Sequence, residues 1–400
     1  MTLGIDNLLQ DKNLLNQLRG RRIALLGHPA SMTSDGRHSL DALTADSDLN
    51  VVAAFGPQHG MRGDKQDNMI ESGDFVDPTY GIPVFSLYGE VRRPTHEMMT
   101  TFDVLLVDLQ DIGTRIYTFV TTLFYVLDAC AETGKSIWVL DRPNPAGRPI
   151  EGSILESGWE SFVGAAPMIM RHGMTLAELA LWYVDAKNLN VDLFIVPMEG
   201  WQPDAAPGYG WPAAELSWVN PSPNASSLNM ARCFPGTVLF EGTTLSEGRG
   251  TTTALEVIGA PDLDFVRLIA RMNALEAVWL NGCLIRPCSF EPTFQKYKGE
   301  LCSGIQIHTD NSAYKHDKFR PYRLAALLLK SIRLEYPDYD LWREFAYEYE
   351  SERLAIDLLT GGTFLREWVD DSTTTIEDLE ERLILDEKVW REMQESFLLY

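Results

Sequence analysis

Six short runs rich in Val, Ile, Leu and Ala recur through the first half of the chain, at residues 22–26, 51–55, 83–87, 104–108, 137–140 and 193–197. Strands that are apolar at nearly every position must bury both faces, which is the pattern of a parallel sheet layered between helices. The segments between them supply those helices. Residues 117–132 read as a buried helix stopped by Gly134. Thr175-Leu176-Ala177-Glu178 is a capping-box pattern, in which Thr and Glu satisfy exposed amides reciprocally. Strand, loop and helix in alternation specify an α/β class: a doubly wound, mainly parallel sheet.

The texture changes over residues 200–235, where Pro, Trp, Ala and Asn are frequent and periodicity is lost. This stretch reads as a long ordered loop, and loops of that length usually serve function. Strands at 238–241, 284–287 and 304–308 and helices at 262–273 and 321–336 follow, then an acidic tail. They predict a smaller α/β (α+β) domain, with the division at residues 1–235 and 236–400.

The net charge of -23 disfavours nucleic acid or an anionic membrane as partner, because phosphates are repelled over most of the surface. The first residues lack a basic stretch followed by an apolar one, and the apolar run at 116–127 is too short to span a bilayer. Five cysteines without a Cys-x-x-Cys pair read as reduced thiols of a cytoplasmic protein. No metal-binding pattern, Walker A loop, Gly-x-Gly-x-x-Gly turn or Gly-x-Ser-x-Gly elbow occurs, so neither metal nor cofactor is expected.

Open α/β sheets place ligands beyond the carboxyl ends of their strands. Five predicted strands run into polar clusters there: Gly27-His28-Pro29, Gly56-Pro57-Gln58-His59-Gly60-Met61-Arg62-Gly63, Ser86-Leu87-Tyr88-Gly89-Glu90, residues 108–115, and Asp141-Arg142-Pro143-Asn144-Pro145. Together they predict a crevice of carboxylates, guanidiniums and imidazole. Asp141-Arg142 is either an ion pair fixing a turn or a ligand contact. Asp111 and Arg115, four apart, are either a structural pair or a substrate clamp. His172 is a second rim histidine or part of a helix-entry turn. His59, beside Gly60, is the stronger functional candidate, whereas His38, His96 and His316 read as surface. In the second half, residues 241–252 combine Glu241, Glu247, Arg249, three glycines and several hydroxyls. That density suits a polyhydroxylated ligand, with an elaborate turn as the alternative.

Taken in order, these blocks resemble the exo-acting β-N-acetylmuramidases of the NamZ type, formerly a domain of unknown function. The resemblance rests on residues 56–63, 88–90, 108–117, 141–145, 171–175, 221–224, 241–252 and 296–310. It implies a Rossmann-like domain followed by a smaller α/β domain, with the active cleft between them. The implied activity is hydrolysis of terminal, non-reducing β-linked N-acetylmuramic acid from peptidoglycan fragments, a step of cell-wall recycling. The partner is then a peptidoglycan-derived sugar or muropeptide. Glu90 is the expected acid/base; Glu241, Glu247 and Asp111 are candidates for the second group, unless the sugar's own acetamide attacks. Expected substrate contacts are His59, Arg62, Tyr88, Arg115, Tyr117, Asp141, Arg142, Asn144, Arg171, His172, Asn224, Thr243 and Arg249. Muramic acid carries a lactyl carboxylate that an arginine reads well, and Arg62 and Arg249 are the expected readers. One departure stands out: the family pattern has Glu where this chain has Gln58, which cannot ionise. A non-catalytic muropeptide-binding or sensing protein is therefore the alternative. A nucleotide-dependent enzyme is disfavoured by the missing glycine fingerprint.

Overall fold

The computed structural model describes residues 1–63 and 69–400. Strands β1 (Arg22–Leu26), β2 (Asn50–Gly56), β3 (Phe75–Val76), β4 (Pro83–Ser86), β5 (Val104–Val107) and β6 (Ser136–Leu140) are followed by β7 (Glu151–Ile154), β8 (Ile169–Arg171) and β9 (Asp192–Val196). Seven of them form one sheet in the order β3-β4-β2-β1-β5-β6-β9. Every neighbouring pair is parallel except β3 with β4. The six apolar runs are thus the six parallel strands.

Alternate residues of these strands enter two different cores. Ala24, Leu26, Leu105, Val107, Ile137 and Val139 pack with the helices Phe119–Thr133 and Leu176–Lys187. Ile23, Leu25, Val104, Leu106, Trp138 and Leu140 pack with Gly4–Gln10, Lys12–Leu18 and Ser39–Thr44 on the other face. Both sets are buried, which is why the runs show no polar alternation. The first helix ends where Gly134 turns left-handed at φ 62°, and Thr175 with Glu178 forms the capping box.

The predicted long loop contains a helix, Leu228–Thr237, started by Ser227 accepting from the Met230 amide at 2.9 Å. Pro235 and Gly236 hide it in the sequence. Packing explains the glycine, since a Cβ at 236 would lie 1.9 Å from the Pro321 carbonyl oxygen. The predicted strand at 238–241 is instead a 3-10 turn, Val238–Gly242. A short apolar run buried on all sides carries no period to tell the two apart.

Strands β10 (Val257–Ala260), β11 (Leu284–Phe290) and β12 (Cys302–His308) form an antiparallel sheet with β12 in the middle. The helix Pro321–Glu335 packs against Leu228–Thr237, and the long helix Ile376–Gln394 packs against the β7-β8 pair. Buried Glu151 of β7 accepts the backbone amides of Tyr322 and Arg323, capping Pro321–Glu335 where a negative charge is favoured. The first half of the chain thereby reaches into the helices of the second. Among the described residues, no helix is long and apolar enough to cross a membrane, and the five cysteines are free.

Candidate active site

The loop after β2 folds back tightly on its own strand. A Cβ at Gly56 would meet the Met61 amide nitrogen at 2.6 Å, and His59 and Gly60 both take positive φ. This turn presents Gln58 and His59 to a cleft whose other walls are Tyr117 and Thr118 after β5, Asn224, and Glu241, Arg249, Tyr347 and Glu348 from the second half. Beyond Glu241 and Tyr347 the cleft widens into an outer hollow of about 430 Å³, bordered by Met69, Glu247, Lys296, Arg343 and Phe345. That size is ordinary for a small-ligand site.

Glu348 is the most unusual group there. The residue is only 7% exposed, and its backbone is left-handed at φ 47°, as is that of Tyr349 at 71°. Such backbone costs energy for residues with side chains and concentrates at functional sites. Tyr88 donates its hydroxyl to one carboxyl oxygen at 2.8 Å, and the Gln58 amide donates to the other at 3.2 Å. The Thr118 hydroxyl donates to the Gln58 carbonyl at 2.7 Å, which fixes the direction of that amide. Burial pushes the Glu348 carboxyl up to about 7; the Tyr88 and Gln58 hydrogen bonds oppose this, and the charge of Glu241 adds to it.

Opposite lies a chain of alternating charges. Arg249 pairs with Glu241 and, at 3.2 Å, with Glu247. Lys296 pairs with Glu247 at 2.7 Å and donates to the carbonyls of Phe240 and Thr243. The Tyr347 hydroxyl donates to the remaining oxygen of Glu241 at 2.8 Å. Burial works against the ionised form of Glu247, yet Lys296 and Arg249 hold its carboxyl below the usual range.

Of the residues expected from sequence, the cleft brings together His59, Tyr88, Tyr117, Asn224, Glu241, Glu247 and Arg249. It does not gather the others. Glu90 is exposed beside a separate hollow lined by Ser72, Asp74 and Thr95. Arg62 is also exposed, with its guanidinium 4.3 Å from the centre of the Phe75 ring. Asp111 is buried, accepting from the Gly113 amide, and lies 3.2 Å from His172. Arg115 does not pair with Asp111; it donates to the carbonyls of Ser153, Met168 and Leu359. Arg142 clamps Asp108 rather than Asp141, and Asp141 accepts from the Ala177 amide and the Tyr400 hydroxyl. Asn144 ties Met174 to Ala146, Arg171 binds the carbonyls of Ala146 and Phe319, and Thr243 turns onto the Phe240 carbonyl.

Most of these side chains are committed to backbone or ions packed around them rather than turned into the cleft. The rim at β1, β5 and β6 is roofed by the segment around 211–221. His28, fully buried, contacts the Pro221 carbonyl there at 3.2 Å and accepts from the Gln110 amide. His28 thereby holds that roof, whereas Arg115, Arg142, Asn144 and Arg171 hold other segments. His316 is buried as well, against Tyr209 and Tyr314, and does not lie on the surface. Burial, with Arg171 and Arg232, pulls it down to about 3. His38 is half-buried at the start of Ser39–Thr44, and His96 is exposed.

Sequence reasoning passed over Glu348, Tyr347 and Arg343, which lie in what reads as an acidic, solvated tail. Their signal is spatial, since Gln58 and Glu348 are 290 positions apart. In the sequence, Gln58 stands out only as a departure from the family pattern.

Comparison with known proteins agrees across the chain. Residues 23–229 match the family described as exo-β-N-acetylmuramidase NamZ, N-terminal, and residues 232–400 match its C-terminal counterpart. The peptidoglycan β-N-acetylmuramidase NamZ of Bacillus subtilis (strain 168) is 38% identical over 372 residues, covering 93% of this chain and 84% of that protein. Two crystal structures of DUF1343 family proteins from Bacteroides fragilis NCTC 9343 superpose over 100% of this chain and 98% of theirs. Their TM-scores are 0.85 and 0.73, at 29% and 27% identity. The chain belongs to the exo-β-N-acetylmuramidase NamZ family.

Proposed function

We propose that this cleft hydrolyses the β-linkage of a terminal, non-reducing N-acetylmuramic acid in peptidoglycan fragments, with Glu348 as the general acid. Family membership gives the glycosidase activity and the substrate class. The observation that carries the catalytic assignment is Glu348: a buried carboxyl pushed up to about 7, at the narrow end of the cleft and facing the ion-paired Glu241. A glycosidase needs one carboxyl that still holds its proton at working pH and a second group at the anomeric carbon. Glu348 gives its proton to the bridging oxygen as the bond from the anomeric carbon breaks. Glu241, held by Arg249 and Tyr347, faces the positive charge that develops. Water completes the hydrolysis, either directly at the anomeric carbon or on the ring that the sugar's acetamide oxygen first forms there, and its proton passes to a carboxylate of the Glu348–Glu241 pair. The five free cysteines support a reducing compartment, and with it a role in intracellular cell-wall recycling.

The sensing alternative rests on Gln58. Its amide lies against Glu348, so the absent carboxylate at 58 does not leave the cleft without an acid.

The experiment is hydrolysis of a chromogenic β-N-acetylmuramide by the wild type and by Glu348→Gln. The variant is expected to lose roughly 10²–10⁴-fold in kcat with an unchanged circular dichroism spectrum. Full activity in the variant would remove Glu348 from the chemistry. Binding without turnover by the wild type would favour the sensing protein.

A further inference from the structure

Resting on the muramidase reading, we propose that Arg343 is the specificity residue that recognises a free lactyl carboxylate on the terminal sugar. Among the described residues, the outer hollow and its junction with the inner cleft are lined by the cations Arg249, Lys296 and Arg343 and by the paired carboxylates Glu241 and Glu247. Arg249 and Lys296 are spent on those carboxylates, so neither is free to meet an anion. Among the described residues, Arg343 has no carboxylate partner; its guanidinium lies 3.9 Å from the centre of the Phe345 ring. Its positive charge is felt at Lys296, whose ammonium is lowered by burial, with Arg343 contributing. The position is also held firmly. The Arg343 amide donates to the Gly242 carbonyl at 3.1 Å, next to Glu241, and Trp342 bridges Thr243.

A planar guanidinium resting on an aromatic ring, half-buried and without a carboxylate partner among the described residues, suits bidentate capture of a carboxylate. N-acetylglucosamine has no such group; muramic acid has one on its lactyl ether. A stem peptide converts that carboxylate to an amide and takes the charge away from the sugar. Arg343 therefore selects muramic acid over glucosamine, and the free acid over its amide. Arg62 and Arg249 do not serve this purpose: the first is exposed outside the hollow and the second is bound within the charge chain.

The test compares three chromogenic substrates with the full-length enzyme: the β-N-acetylmuramide, its lactyl methylamide and the β-N-acetylglucosaminide. The wild type is expected to favour the free acid over both others. In Arg343→Gln the kcat/KM ratio of muramide to glucosaminide falls by about 30-fold or more, mainly through KM, and Arg343→Lys restores part of it. Equal losses on muramide and glucosaminide, or equal wild-type cleavage of the free acid and the methylamide, overturn the proposal. Wild-type cleavage of the muramide at all tests the underlying activity separately, so the two failures are distinguishable.

Discussion

Glu348 and Gln58 form a carboxyl–amide contact in which only one partner titrates. Activity that needs the protonated acid is retained below about pH 7 and lost as pH climbs through that value, so kcat/KM on the muramide should show an alkaline limb there. Replacing Gln58 by Glu puts two carboxyls in contact, and a pair so close shares one proton rather than ionising together. Gln58→Glu is therefore expected to carry the alkaline limb upward by about one unit or more, read from the pH dependence of kcat/KM. A limb that stays in place would detach Glu348 from proton transfer.

At the scale of elements, the smaller sheet holds the charge chain of the cleft through a close approach of backbone. Gly259 of β10 pairs with Gly304 of β12. A Cβ at Gly304 would fall 2.3 Å from the Ile258 oxygen and 2.9 Å from the Phe290 ring. On its other side Gly259 exchanges both backbone hydrogen bonds with Ser246, at 2.8 and 2.9 Å, immediately before Glu247. Gly304→Ala should cost about 2–3 kcal/mol in urea unfolding, as overpacking does. It should lower kcat as well, because Glu247 loses its support. A variant of unchanged stability would show that the strands can separate without cost.

For the whole molecule, the last residues fasten the second half to the first. The Tyr400 hydroxyl donates to Asp141 at 2.7 Å, and the Leu399 amide donates to Glu178 at 2.8 Å. Arg148 grips Glu178 on both oxygens and reaches the Tyr400 carbonyl. Burial, with the charge of Glu178, pushes Asp141 up to about 7, against the hydrogen bonds it accepts. The folded protein then holds a proton that the unfolded chain has released, so stability falls as pH rises from about 4 to about 7. Asp141→Asn removes that dependence while keeping an acceptor oxygen for Ala177. Between pH 5 and pH 8 its unfolding free energy should move in its favour relative to wild type by on the order of a few kcal/mol. Parallel pH profiles of the two proteins would contradict the assignment.

Local rules in the sequence determined the parallel sheet. Its apolar runs at 22–26, 104–107 and 136–140 need only their own composition to state that both faces are covered. Gly134 and the Thr175–Glu178 box likewise mark helix ends by contacts within one turn. The blocks that resemble the family also stand in the sequence, because they are contiguous. What only the tertiary structure decided was which polar residues are free to act. Arg115, Arg142, Arg171 and Asp141 look like site residues in one dimension, yet each is consumed by backbone groups or ions brought from elsewhere in the chain. Glu348 shows the reverse. Its proton depends on burial beside Tyr88, Gln58 and Glu241, 260, 290 and 107 positions away, and no local pattern encodes a desolvated neighbourhood.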